Sequence, residues 1–182
     1  LSEFAPLSAQ MSRAIGKLLY KSFDKHLGGK IPSNLVYYNP IPLELQWRCE
    51  IQKATLNYVK DLGIENGDRP IPNLLFTFKG DELHVKAYKE WNDDKTIYYH
   101  APFHNVYDDT RICMGRAKLK LVASDTFKTI LNRLQSLFFM VPGSEIHFEQ
   151  GFNLNTFHKE LLHLKKFPNH KLKLLNKNNE NI

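Results

Sequence analysis

Apolar residues recur along this chain in two rhythms, and the change from one to the other divides it. Near the start Met11, Ile15, Leu18 and Leu19 fall at helical spacing before Gly28-Gly29, so an amphipathic N-terminal helix is expected there. Leu35 to Tyr38 reads as a short strand ended by Asn39-Pro40-Ile41-Pro42. Leu43, Leu45, Trp47, Cys49 and Ile51 then alternate with Glu44, Gln46, Arg48 and Glu50, the period of two that marks a half-buried strand. Residues 52–64 carry Leu56, Val59 and Leu62 with Gly63 behind them, which predicts a short helix. Leu74, Phe76 and Phe78 alternate, Lys79-Gly80-Asp81 predicts a hairpin turn, and Leu83, Val85 and Ala87 alternate on the return, with a further strand from Thr96 to His100. Past residue 120 the rhythm becomes helical. Ser124 as N-cap, Asp125 in the first turn, and Phe127, Ile130, Leu131, Leu134, Leu137 and Phe138 at intervals of three and four predict the longest helix, ended by Pro142-Gly143. A second short helix from Thr156 to Lys166 carries Phe157, Leu161 and Leu164 and closes at Phe167-Pro168. Helix, antiparallel meander, loop, long helix and short helix is an α+β order.

Composition bounds this picture. A chain of 182 residues with 42% hydrophobic content suits one domain, expected over residues 11–175. Residues 1–10 are set aside as a flexible or extraneous segment, and 176–182, with little apolar material, as a disordered tail. Two cysteines, 64 positions apart, make neither a disulfide framework nor a CxxC metal pair, so a reducing cytoplasm is expected. No apolar run approaches the roughly 20 residues of a membrane span, and no signal peptide is recognisable. The formal charge of +6 favours acidic partners without choosing among them. Lys165, Lys166, Lys171, Lys173 and Lys177 read as a solvated basic face. Tyr98, Tyr99, Phe103 and Tyr107 read as core and loop walls, so no nucleic-acid partner is expected.

Candidate chemistry concentrates in one segment. Cys49 shares a strand face with Leu45, Trp47 and Ile51 and reads as a buried, inert thiol, which leaves Cys113 as the candidate nucleophile. Asn105 stands eight positions before it, across a Tyr-Asp-Asp-Thr stretch able to turn the chain back. A thiolate can accept an acyl group and pass it on, and a carboxamide beside it can donate to an oxyanion. Asparagine in a loop also shapes turns by bonding its own backbone, and both roles fit here. Arg111, Arg116 and Lys118 would favour a thiolate, while Asp108 and Asp109 oppose it. A metal site built on His100, His104 and Cys113 has too few ligands of fixed geometry, and neither metal nor organic cofactor is expected.

The ordered series Pro72-Asn73-Leu74-Leu75-Phe76, then Thr96-Ile97-Tyr98-Tyr99-His100-Ala101-Pro102-Phe103-His104-Asn105-Val106, then Ile112-Cys113-Met114-Gly115 resembles the ubiquitin-conjugating enzyme superfamily. The resemblance is closer to its prokaryotic branch, of the kind found as protein B of the PRTRC plasmid-associated system. It differs from the classical pattern in three places: no proline separates His104 from Asn105, Met114-Gly115 replaces Leu-Asp, and Thr110 stands where a turn glycine is common. The resemblance implies a ubiquitin-conjugating-like fold with the N-terminal helix, meander, active-site loop and C-terminal helices read above. It implies that Cys113 carries a ubiquitin-like protein as a thioester and that Asn105 serves the oxyanion and the loop. It adds His104 and His158 as subsidiary candidates, His158 as a proton acceptor. The implied partners are a ubiquitin-like protein, a ThiF-like activating enzyme and a JAB-type deconjugating peptidase, with no membrane. The alternative is a catalytically inactive module of the same fold that binds a ubiquitin-like protein or a plasmid-maintenance partner.

Overall fold

Alternation in the sequence becomes a five-stranded antiparallel sheet, in a computed structural model that describes residues 30–40, 42–49, 51–115, 125–147 and 150–175. The helix expected from Met11, the segment 1–10, the cap at Ser124 and the tail 176–182 lie outside these residues. The sheet runs β1 (Leu35–Pro40), β2 (Leu43–Cys49), β5 (Asn73–Lys79), β6 (Glu82–Tyr88) and β7 (Tyr98–His100), with β3 (Lys53–Leu56) and β4 (Gly67–Pro70) forming a separate hairpin between β2 and β5. In β2 the inward residues Leu45, Trp47 and Cys49 are buried while Gln46 and Arg48 are half-buried, as the period of two requires. Trp47 faces Phe76 across the ladder and stacks on it, ring centroids 5.3 Å apart. Lys79 pairs with Glu82 around Gly80, whose φ of +66° suits glycine in so tight a turn. Strands β5 and β6 depart from simple alternation, since Leu75, Thr77, His84, Lys86 and Tyr88 are buried as well as their inward neighbours.

The helix expected over residues 52–64 is not formed. Lys53–Leu56 pairs instead with Gly67–Pro70, Thr55 Oγ1 donates to Asp68 Oδ1 at 2.6 Å, and only Lys60–Leu62 winds into a single 3-10 turn stopped by Gly63 at φ +59°. Leu56, Val59 and Leu62 do fall at helical spacing, but strand partners 11 to 17 residues away in the chain outweigh that weak local preference. The chain then adds a parallel bridge: Val59 N–H donates to Gly143 O and Gly143 N–H to Asn57 O.

Helix α1 (Phe127–Met140) lays Phe127, Ile130, Leu131, Leu134 and Phe138 on the sheet, Phe138 meeting Phe76 edge-on at 5.4 Å. Its N-cap is Thr126, in a capping box with Thr129, rather than Ser124. Asp125 therefore precedes the helix and grips Arg133 with both oxygens, at 2.7 and 3.0 Å. Helix α2 (Leu154–Leu161) begins two residues before the expected Thr156 because Asn153 Oδ1 caps the Thr156 N–H. It ends well short of Lys166 because His163 and Leu164 N–H groups reach only three residues back. Leu154, Phe157 and Leu161 form its own apolar cluster with Phe152 and Phe167. The chain returns to the sheet edge, where His100 N–H bonds Lys173 O and Leu175 N–H bonds Tyr98 O. Lys165, Lys166, Lys171 and Lys173 are exposed. Among the described residues no helix is long and apolar enough to cross a membrane.

Candidate active site

From His100 the chain leaves β7 and runs through six buried residues, Ala101 to Val106, before doubling back. The return is a tight hairpin. Cys113 N–H donates to Asn105 O at 2.8 Å, Val106 and Ile112 form an antiparallel bridge, Tyr107 N–H donates to Arg111 O, and Thr110 N–H to Tyr107 O. The eight-residue separation of Asn105 and Cys113 is thus one backbone hydrogen bond in space. The outer limb of the hairpin extends the sheet beyond β7, since Val85 N–H reaches Thr110 O and Ile112 N–H reaches Leu83 O. Arg111 ties the turn to β6 through Asp109 at 2.7 Å and Glu82 at 3.4 Å. Cys113 is half-buried at the open end of this hairpin, whereas Cys49 is 2% exposed.

Asn105 is buried, and its amide nitrogen Nδ2 finds no hydrogen-bond partner among the described residues. It lines a small cavity of about 20 Å³ together with Tyr58, His104, Phe138, Gly143 and His158, and Cys113 is not part of that lining. His104 Nε2 donates to Asn155 Oδ1 at 2.7 Å, and its ring stands edge-on to Tyr58 and His158. His158 has both ring nitrogens occupied. Its Nε2–H donates to Pro102 O at 2.7 Å, because a carbonyl only accepts, so Nδ1 accepts from the Tyr58 hydroxyl at 2.5 Å. Burial, then the neighbouring His104 and Arg69, push the His158 pKa down to about 3, so the ring is neutral near pH 7. Burial likewise lowers His104 and raises the Tyr58 phenol. Arg69, fully buried, donates to the backbone carbonyls of His158, Gly67 and Glu65 and lies over the Tyr58 ring. These contacts fasten α2, the β3–β4 hairpin and the Pro102–Asn105 segment to one another.

On the other side of the hairpin Tyr107 lies near enough to Cys113 that the thiol raises the phenol's pKa. The Tyr107 ring is stacked on His147 with centroids 4.3 Å apart and planes 30° from parallel, and the Arg111 guanidinium lies 5.4 Å from its centre. Of the four residues expected at the site, the structure sets Asn105 beside Cys113 and packs His104 and His158 behind Asn105. Sequence reading took Tyr107 only as a loop wall, although its place two residues after Asn105 was a usable signal. His147 and Tyr58 were missed. Nothing local marks His147, and Tyr58 lay in a segment read as helix.

An antiparallel sheet backed by a long helix, with a half-buried cysteine closing a hairpin onto an asparagine, fits the class of ubiquitin-conjugating-like α+β domains. The chain belongs to prokaryotic E2 family D, whose sequence model matches residues 15–175. Neither a curated protein sequence nor a solved structure matched the chain. Membership in an E2 family points to transferase chemistry of the ubiquitin-conjugating kind.

Proposed function

We propose that the protein carries the C-terminal glycyl group of a ubiquitin-like protein as a thioester on Cys113 and transfers it to an amine. The observation that carries this reading is the hairpin, which holds a reachable thiol one backbone hydrogen bond from a buried asparagine whose amide nitrogen has no partner among the described residues. Cys113 displaces the thiol of a ThiF-like activating enzyme, which has already consumed ATP. An amine then attacks the carbonyl carbon, a C–N bond forms, the C–S bond breaks, and the amine loses a proton. The Asn105 amide donates to the tetrahedral oxyanion, a role whose removal typically costs roughly a hundredfold to a thousandfold. His104 and His158, neutral and hydrogen-bonded, brace the backbone that carries Asn105. The sequence resemblance to PRTRC protein B supports reading it as a member of that type, working with a JAB-type peptidase that removes the same modifier.

Intact-mass measurement after incubation with ATP, the activating enzyme and the ubiquitin-like protein encoded beside it tests the proposal. We expect a reductant-sensitive adduct, absent in Cys113→Ala, and retained but slow to discharge in Asn105→Ala. An adduct that survives in Cys113→Ala would sink it. The separation of the Asn105 cavity from Cys113 favours a second reading, a non-catalytic module that only binds the ubiquitin-like protein. Binding with no adduct in the wild type would establish that reading.

A further inference from the structure

We propose that the cavity behind Asn105 is a binding site for one water molecule, which accepts a hydrogen bond from the Asn105 amide and donates one to His104 Nδ1, and that Asn155 is the positioning residue that sets the His104 tautomer. The water site stands whether or not Cys113 carries an acyl group. If Cys113 does, the water ties the amide that serves the oxyanion to helix α2.

The two polar atoms are complementary, and neither answers the other. Asn105 Nδ2 carries two hydrogens and only donates. His104 Nε2 gives its hydrogen to Asn155 Oδ1 at 2.7 Å, so Nδ1 of the neutral ring is bare and only accepts. Burial favours that neutral ring by lowering the histidine's pKa. Both residues are buried, Asn105 at 6% and His104 at 1% exposure, and both line the same cavity of about 20 Å³. Among the described residues neither atom has a hydrogen-bond partner, so donor and acceptor do not reach each other directly although their residues are neighbours in the chain. Buried donors and acceptors in this condition are rare in folded proteins, and an ordered water is their usual partner. The cavity is large enough, since one water needs about 10–15 Å³ and at least two polar partners. Tyr58 and His158, on the same wall, are not competitors, because they are bonded to each other and His158 Nε2–H to Pro102 O. Asn155 matters because the other neutral tautomer would put a hydrogen on His104 Nδ1. Two donors would then face the water oxygen, and its hydrogen would lose the imidazole as acceptor. Asn155 lies in the first turn of α2, so the relay runs from that helix through the ring and the water to the amide.

The test uses the full chain, isotope-labelled in nitrogen, with water itself as the probe. The Asn105 side-chain amide, assigned as the signal lost in Asn105→Ala, is expected to show a nuclear Overhauser effect to water of the sign that marks a long-lived bound molecule. His104, assigned by its loss in His104→Gln, is expected to show a protonated Nε2 and a bare Nδ1 whose resonance is moved upfield by an accepted hydrogen bond. His104→Phe keeps a ring of similar size but removes the acceptor, and the water effect at the amide should be lost. Asn155→Leu should move part of His104 to the Nδ1–H tautomer and weaken the water effect, and Asn155→Asp, which keeps an acceptor, should restore both. A high-resolution crystal structure of the full chain should place one water within about 3.2 Å of both atoms, and it decides the matter if His104→Phe does not fold. No water effect in the wild type, its survival in His104→Phe, or an Asn105 Nδ2 bonded directly to protein in the crystal overturns the water site. A His104 tautomer unmoved in Asn155→Leu overturns the role given to Asn155. None of these readouts needs Cys113 to be loaded, so their failure leaves the carrier reading intact.

Discussion

Thr110 holds a backbone conformation that β-branched residues avoid, with φ at +70°, and it is fully buried. Left-handed backbone costs a non-glycine residue roughly 1–2 kcal/mol, so the surrounding contacts must over-determine it. They are specific: its N–H and C=O are both used in the hairpin and the sheet, and its Oγ1 lies 3.2 Å from His84 Nδ1, itself buried. A glycine, common at this turn in the resembled superfamily, would relieve the strain but leave the His84 nitrogen without its partner. Thr110→Val keeps shape and strain and deletes only the hydroxyl. It is expected to destabilise the protein by roughly 1–3 kcal/mol, read as a lower urea midpoint at unchanged m-value. At this scale the sequence was partly legible. Asn105 and Cys113 were readable because an eight-residue spacing across turn formers closes a hairpin whatever surrounds it. The Tyr107–His147 stack was not, because its members meet only after α1 has crossed the sheet.

Gly143 shows how one residue couples elements. It ends the segment after α1, bridges the strand-like run Asn57–Val59, and lies against the ring of His104. A Cβ built there would sit 3.1 Å from both His104 Cβ and Tyr58 Cδ1, closer than well-packed atoms normally approach. Gly143→Ala is therefore expected to cost roughly 1–3 kcal/mol by overpacking, visible as a lower Tm, and to disturb Asn105 through His104. An alanine variant as stable as wild type would show that the Tyr58–His104 wall yields freely. The same region explains what sequence reading missed among the elements. Strands β2, β5 and β6 and helix α1 announce themselves because their inward faces follow one period throughout. Residues 52–64 do not, because their pairing with Gly67–Pro70 and their bridge to Gly143 lie outside any local window. The α+β class survived that error, since a hairpin inserted beside the sheet leaves the order of the other elements unchanged.

For the molecule as a whole, the buried histidines set a limit on acid stability. His84, His100, His104 and His158 are each at most 4% exposed, and burial is the leading cause that lowers the pKa of all four. The unfolded chain takes up these protons near the ordinary histidine value of about 6.5, whereas the folded chain resists them. A folded pKa below the unfolded one contributes stability that is whole above about pH 6.5 and is lost as pH falls toward the folded value. His158, at about 3, has the widest window. By pH 5 it alone should cost about 2 kcal/mol, from roughly 1.4 kcal/mol per pH unit. The groups facing it do not rescue its charged form: His104 and Arg69 oppose a positive charge, and the Tyr58 phenol, its own pKa raised by burial, stays neutral. Only the Pro102 carbonyl favours protonation, and it already holds Nε2–H in the neutral ring. Asp68 and Asp109, whose pKa values are lowered, contribute stability that is lost only as pH falls below the ordinary carboxylate range, beneath the histidine window. Urea unfolding between pH 7.5 and 4.5 should therefore show stability level at the top and falling below about 6.5. In His158→Gln the fall should be shallower by about one proton's worth, roughly 1.4 kcal/mol per pH unit, even though the variant starts less stable. An unchanged slope in that variant would mean that His158 is protonated in the fold. The Tyr58–His158 bond behind Asn105 would then run the other way, from Nδ1–H to the phenol oxygen, while the bond to the Pro102 carbonyl stayed as it is.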